Sequence, residues 1–364
     1  VRGTISTALH NAGDTNRTKS GAIVSASHEA KWQGGLVMKL PVFSTFGNAL
    51  GFAFGSFLTC LRLAWLPVTL LFLTQQAVQW LVLDDMVRRM PDLKDVGSEN
   101  PLAAFRIILA MWQQMAPIQI ALMLLQALVI AAVAVSIHRV ILFGDRREGS
   151  LLNFSFGKTE FMYMLMAAAM SIFVMAILAS VLLPAVFIVA DGNLPGFIDG
   201  FRRFPDNVTE LVRSGRFGLL GIAYLLAWLI VIYVSIRLAV WPPSVVATGS
   251  LSPSEPWSLM RGNVLRFIGL VILCGIAIWI LMAGIAIAIF SQGGFETFKA
   301  MQSLDHQDPA QLQQHMRERI TPLLPVFYVI VLLLYTFVIS FSIALISYSY
   351  KALKGFSAAD PLPA

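Results

Sequence analysis

Six long apolar stretches, separated by polar and charged segments, set the plan of this chain. They cover residues 61–83, 117–142, 162–190, 217–241, 265–290 and 322–349. About 20 consecutive apolar residues carry an α-helix across the hydrocarbon core of a bilayer, and each stretch reaches that length. The expected fold is all-α: a polytopic transmembrane helical bundle of about six spans. A shorter apolar run, 46–60, is diluted by Gly47, Asn48, Gly51, Gly55 and Ser56. It reads as an interfacial helix leading into the first span. Pro67 and Pro184 fall inside spans and are expected to kink them, which neighbouring groups in a membrane bundle can accommodate.

The segments between spans predict further helix. On the outer side, 84–116, 191–216 and 291–321 are too long for simple turns. Asn100-Pro101 and Asp308-Pro309 each place a capping residue before a proline at a first helical position. On the inner side, Ser252 or Ser254 is expected to cap a short helix through "PWSLMRGN", with Trp257 and Leu259 at the interface and Arg261 toward headgroups.

Composition agrees with this plan. Of 364 residues, 57% are hydrophobic and 13% charged, against about 45–50% and about 25% in soluble domains. The formal net charge of +6 does not point to nucleic acid, because no Lys/Arg run with interleaved aromatics occurs. Basic residues in a membrane protein gather in loops, where they set orientation. With six spans both termini share a side, which holds 15 Lys/Arg and 7 Asp/Glu against 11 and 13 opposite. Excluding Arg2, Arg17, Lys19 and Lys31 near the N-terminus, the basic counts tie. Arg139, Arg146, Arg147 and Lys158 in the short second loop then tip the expectation toward cytoplasmic termini.

Residues 1–37 differ from the rest. They are polar and aperiodic and contain no signal-peptide core. They are expected to be disordered or a non-native leader, with Met38 as the natural start. Residues 38–355 then form the transmembrane domain and 356–364 a short C-terminal tail.

A weak threefold repeat runs through the domain. Gly47-Asn48 precedes span one and Gly262-Asn263 precedes span five, each followed by an apolar run reaching a cysteine, Cys60 or Cys274. The even spans close alike on "SIHRV", "SIRLAV" and "ISYSYKAL". Three repeated helix pairs with interfacial lead-in helices would explain the match. Gly47, Gly51 and Gly55 form a small-residue ladder that permits close helix approach or self-association.

Candidate chemistry is sparse. Ionisable residues inside spans are the usual functional pointers, and no Asp or Glu lies mid-span. Arg62, Arg139, Arg237 and Arg261 stand at span ends, where they can reach lipid headgroups. Gln75, Gln76 and Gln79 make the most polar intramembrane patch. Gln75 and Gln79 share a face, as do Gln119 and Gln126 on the second span, so the two sets are natural partners. His138 beside Arg139 has no carboxylate or second histidine in its neighbourhood of sequence. Cys60 and Cys274 read as buried small hydrophobes. No zinc-protease, P-loop or nucleophile-elbow motif occurs, so no catalytic residue, metal or cofactor is expected.

The segments "LPVFSTFGNALGF", "SIHRVILFGD" and "PWSLMRGNVLRFIGL" resemble a group of bacterial inner-membrane proteins. That group is similar to the membrane domain fused to some glycerophosphodiester phosphodiesterases. The resemblance spans 38–355 in plan. It implies a bacterial cytoplasmic-membrane setting and carries over none of the phosphodiesterase activity, because that soluble domain has no counterpart here. The expected role is non-enzymatic, through membrane lipids, self-association or a partner membrane protein. A small-solute transporter or channel is the alternative, and an enzyme acting on lipid ranks third.

Overall fold

A computed structural model describes residues 38–97, 101–145, 157–189, 216–289 and 324–362. From Lys39 onward they belong to one compact unit. The helices are α1 (Val42–Gly55), α2 (Phe57–Gly97), α3 (Pro101–Phe143), α4 (Lys158–Val189), α5 (Arg216–Arg237), α6 (Trp241–Thr248), α7 (Ser254–Leu259), α8 (Val264–Ile289) and α9 (Leu324–Leu353). Among the described residues there is no strand. Six segments are long and apolar enough to cross a membrane: Phe57–Trp80, Met115–Phe143, Lys158–Ala185, Gly221–Thr248, Val264–Ala288 and Pro325–Leu353. They overlap the six expected stretches, and the chain is a multi-pass α-helical membrane protein.

The first outer segment is built from the spans themselves. α2 has 41 residues and α3 has 43, so each is about 60 Å long at 1.5 Å per residue. That is about twice the hydrocarbon thickness. Most of 84–116 is therefore extension of α2 and α3. α3 begins at Pro101, where a missing N–H costs the helix nothing. Pro117, at the expected start of span two, consequently lies inside α3. α2 and α4 run through Pro67 and Pro184 without a break. Asn100, Asp308-Pro309, residues 291–321, most of 191–216 and the leader 1–37 lie outside the described residues.

Burial follows helical spacing and concentrates at one end of the bundle. Cys60, Ala64, Val68 and Leu71 bury one face of α2, and Phe267, Leu270 and Cys274 one face of α8. Both cysteines are free and buried. Ala227, Val231 and Val234 do the same for α5. The C-terminal halves of α3 and α9 are buried almost all round, and they pack on each other. α2, α4 and α6 surround α3, while α1, α2 and α6 surround α9. α5 rests on α4, and α8 touches α5 and α1.

The three-pair plan is only partly visible in this packing. α2 packs on α3 and α4 on α5, but α1 separates α8 from α9. This lead-in helix is thus an integral wedge. It buries Thr45, Ala49 and Ala53, and Phe46 and Phe54 sit 5.6 and 5.0 Å from Phe341 and Phe337. The glycine ladder faces the other way. A Cβ added at Gly47, Gly51 or Gly55 meets no atom within 4 Å, so no described helix approaches that face. The two Gly-Asn pairs also differ. Gly47 is helical, whereas Gly262 has φ +78° and turns the chain into α8.

The C-terminal tail continues the packed end. Phe356 N–H donates to Lys351 O and Gly355 N–H to Ala352 O, the paired bonds of a glycine helix terminator, with Gly355 at φ +77°. The chain then returns across α3, where Leu362 N–H donates to Leu142 O at 2.7 Å.

Candidate functional site

Polar side chains gather at the packed end, where the spans start or finish. Most are tied to one another. Glu255 in α7 accepts from Ser244 Oγ of α6 at 3.1 Å and from Tyr350 OH of α9 at 3.3 Å, and pairs with Lys354. One carboxylate thereby ties three elements. It is the single acidic residue between 216 and 289, and that isolation is the one sequence signal that could have found it. Ser252 and Ser254 instead bond each other at 2.7 Å, and the N-cap of α7 is Pro253 without a side-chain cap. The expected serine cap does not form.

Asn263 is fully buried and accepts Leu40 N–H at 2.9 Å, while Arg266 donates to Leu40 O at 3.3 Å. The start of α8 therefore grips the strand-like segment before α1 by both backbone groups. Lys351, also buried, donates to Ala358 O at 2.8 Å and holds the tail.

On α3, His138 is fully buried, and its Nδ1 lies 2.7 Å from Ser347 Oγ. Ser347 already donates to Ile343 O, so the imidazole Nδ1–H is the donor and Ser347 the acceptor. Nε2 is left as a buried lone pair without a partner among the described residues. A serine in this arrangement has no base to take its proton. Neighbouring Arg139 donates to Thr159 Oγ1 at 3.0 Å and lies 3.9 Å from Glu160. Glu160 also accepts Gly157 N–H at 2.9 Å, the backward half of a capping box at the start of α4.

Arg237, the last residue of α5, differs from these. Its side chain is buried, with the residue 8% exposed. Its guanidinium carbon lies 4.5 Å from the Trp257 ring centroid, and Nε has no hydrogen-bond partner among the described residues. No described carboxylate comes within 4.0 Å of it. Removing a cation from water costs several kcal/mol, and a desolvated cation–π contact returns only about 2 kcal/mol.

The arginines expected at headgroup level thus occupy three environments. Arg62 and Arg261 are exposed, Arg139 is half-buried and paired, and Arg237 is buried and lacks an anion. Gln76 Nε2 donates to Gln79 Oε1 at 3.2 Å; Gln75 is half-buried, Gln119 exposed and Gln126 half-buried. Among the described residues no three metal-ligating side chains converge.

Fold and site together define a multi-pass helical membrane protein with a polar, tightly tied end. No family model, curated protein or solved structure matches the chain.

Proposed function

We propose that this protein works in a bacterial cytoplasmic membrane, with both termini in the cytoplasm, through contact with lipids and partner membrane proteins. The observation that carries this reading is the uneven cover of its spans. In α3, 39% of the most apolar window is buried, but in α4 and α8 only 6% and 11%. Apolar side chains left open in this way need lipid or another helix against them. The basic span ends, with Arg62, Arg139, Arg237 and Arg261, lie on the side of the termini. They favour that side as cytoplasmic and suit anionic headgroups. The likeness to membrane domains fused to phosphodiesterases supports the same setting.

The test is lipid composition. Protein extracted in mild detergent should carry anionic phospholipid above its share of the source membrane, by mass spectrometry of bound lipid. A bound fraction equal to the bulk membrane would overturn the lipid role.

A second reading, a small-solute transporter or channel, draws on Gln76–Gln79 bonded inside a span and on the sparse cover of the outer halves. Solute-dependent swelling of proteoliposomes beyond that of empty vesicles would favour it.

A further inference from the structure

Arg237 closes α5, where the chain turns through 238–240 into the short α6. This break falls inside the apolar segment Gly221–Thr248, and taking it as the end of the crossing puts the guanidinium at headgroup level. Tyr233, one turn earlier, meets Trp257 edge-on, with centroids 6.4 Å apart and planes at 89°. Trp257 is 37% exposed and Tyr233 is exposed too. Tyrosine and tryptophan favour this depth.

The described arginines at this end divide by partner. Arg139 has Thr159 and Glu160, and Arg266 has a backbone carbonyl. Arg62 and Arg261 are exposed to water and headgroups. Arg237 alone among these five combines a covered side chain with no acceptor among the described residues. A guanidinium offers a planar fork of donors that fits phosphate oxygens. Here the guanidinium carbon sits over the Trp257 ring and Nε is covered, so a ligand would meet the two Nη groups.

The surface beneath Arg237 indicates what else the ligand carries. Leu226, Ile230 and Tyr233 are exposed, and with Arg237 they follow a 4-3-4 spacing along one face of α5. An apolar track thus runs from the cation into the hydrocarbon. A free phosphate has no use for it; an acyl chain does.

We infer that Arg237, stacked on Trp257, holds the phosphate of a net-anionic phospholipid, with an acyl chain lying along Tyr233, Ile230 and Leu226. This rests on the lipid reading above and gives it one site. The headgroup supplies the anion that the described residues do not.

The experiment uses the full chain in nanodiscs of phosphatidylcholine, with or without phosphatidylglycerol. Hydrogen exchange in residues 252–263 should slow when phosphatidylglycerol is present and stay unchanged with inorganic phosphate. Arg237→Gln should lower retained phosphatidylglycerol about tenfold, the worth of a charge-assisted bond, while Arg237→Lys keeps most of it. If Arg237→Gln retains the wild-type amount, this site is wrong although the lipid role survives. If the wild type shows no preference for phosphatidylglycerol, both fail. Protection by inorganic phosphate alone would overturn lipid as the ligand. Should Arg237→Gln fold poorly, the exchange measurement on unmodified protein still decides.

Discussion

Two parts of the crossing segment of α3 differ in how the rest of the chain covers them. Toward its N-terminus, Ile118, Ile120, Met123 and Leu124 are exposed; toward its C-terminus, Val129, Ala131 to Val135, Ile137 and Leu142 are buried. α9 divides the same way, with Val326, Phe327, Val329 and Leu333 exposed and Ser340, Phe341, Ala344, Ser347 and Ser349 buried. Side-chain size and hydroxyl content distinguish the buried parts from the exposed ones. The protein-facing halves are rich in Ala, Val and Ser, which let backbones approach and return hydroxyls to their own helix. Ser340, Ser347 and Ser349 each donate to the carbonyl four residues back. The exposed residues are mostly larger, Leu, Ile, Met and Phe, with Val326 and Val329 among them.

The largest test of this contrast compares two phenylalanines on α9. Phe341 is fully buried against Phe46, whereas Phe327 is half exposed. Phe341→Ala should cost about 3–5 kcal/mol through the cavity it leaves. Phe327→Ala should stay within about 0.5 kcal/mol. Thermal unfolding in detergent would measure both, and equal losses would erase the distinction between halves.

Asn263→Leu is the next largest. It strands the buried Leu40 N–H, a loss of about 1–3 kcal/mol, and frees the segment before α1 from α8. Faster hydrogen exchange at Leu40, with exchange in α4 unchanged, is the expected result. Uniform acceleration would instead mean that Asn263 supports the whole bundle. Glu160→Gln should do less, about 1 kcal/mol, because glutamine still accepts Gly157 N–H and the contact to Arg139 is long at 3.9 Å. In a double-mutant cycle with Arg139→Gln, a coupling far above 1 kcal/mol would show a tighter pair than this geometry holds.

The spans were legible because a lipid-crossing helix writes itself as a continuous apolar run. Their packing was not. Nothing local says that α1 wedges between α8 and α9, since that depends on which faces meet. The extension of α2 and α3 past the bilayer was half legible: Pro101 marked the start of a helix, but its continuity through Pro117 depends on the bundle around it. At the site, Arg237 was visible by its position at a span end, and its burial was not. Glu255 escaped notice because a lone glutamate between prolines and serines resembles any solvated loop residue. Its partners Ser244, Tyr350 and Lys354 come from distant sequence. Helical spacing puts Gln75 and Gln79 on one face; Gln76, three residues from Gln79, is an equally near neighbour on a helix surface and makes the bond.

The smallest expected effect probes the side of α1 that no described helix covers, where the glycine ladder lies. A Cβ at Gly51 meets nothing within 4 Å, so Gly51→Ala adds no clash inside this chain. Alanine also loses less backbone freedom in a helix than glycine, worth at most about 1 kcal/mol in water. The melting temperature should therefore hold or rise slightly. If glycine were needed for a neighbour outside this chain, the sign would reverse, because a methyl group would push a closely packed helix away. A stability loss that disappears on dilution into excess detergent would place a second copy against Gly47, Gly51 and Gly55. A neutral or positive change leaves that face to lipid and keeps the small-residue interface of α1 where Thr45, Ala49 and Ala53 meet α9.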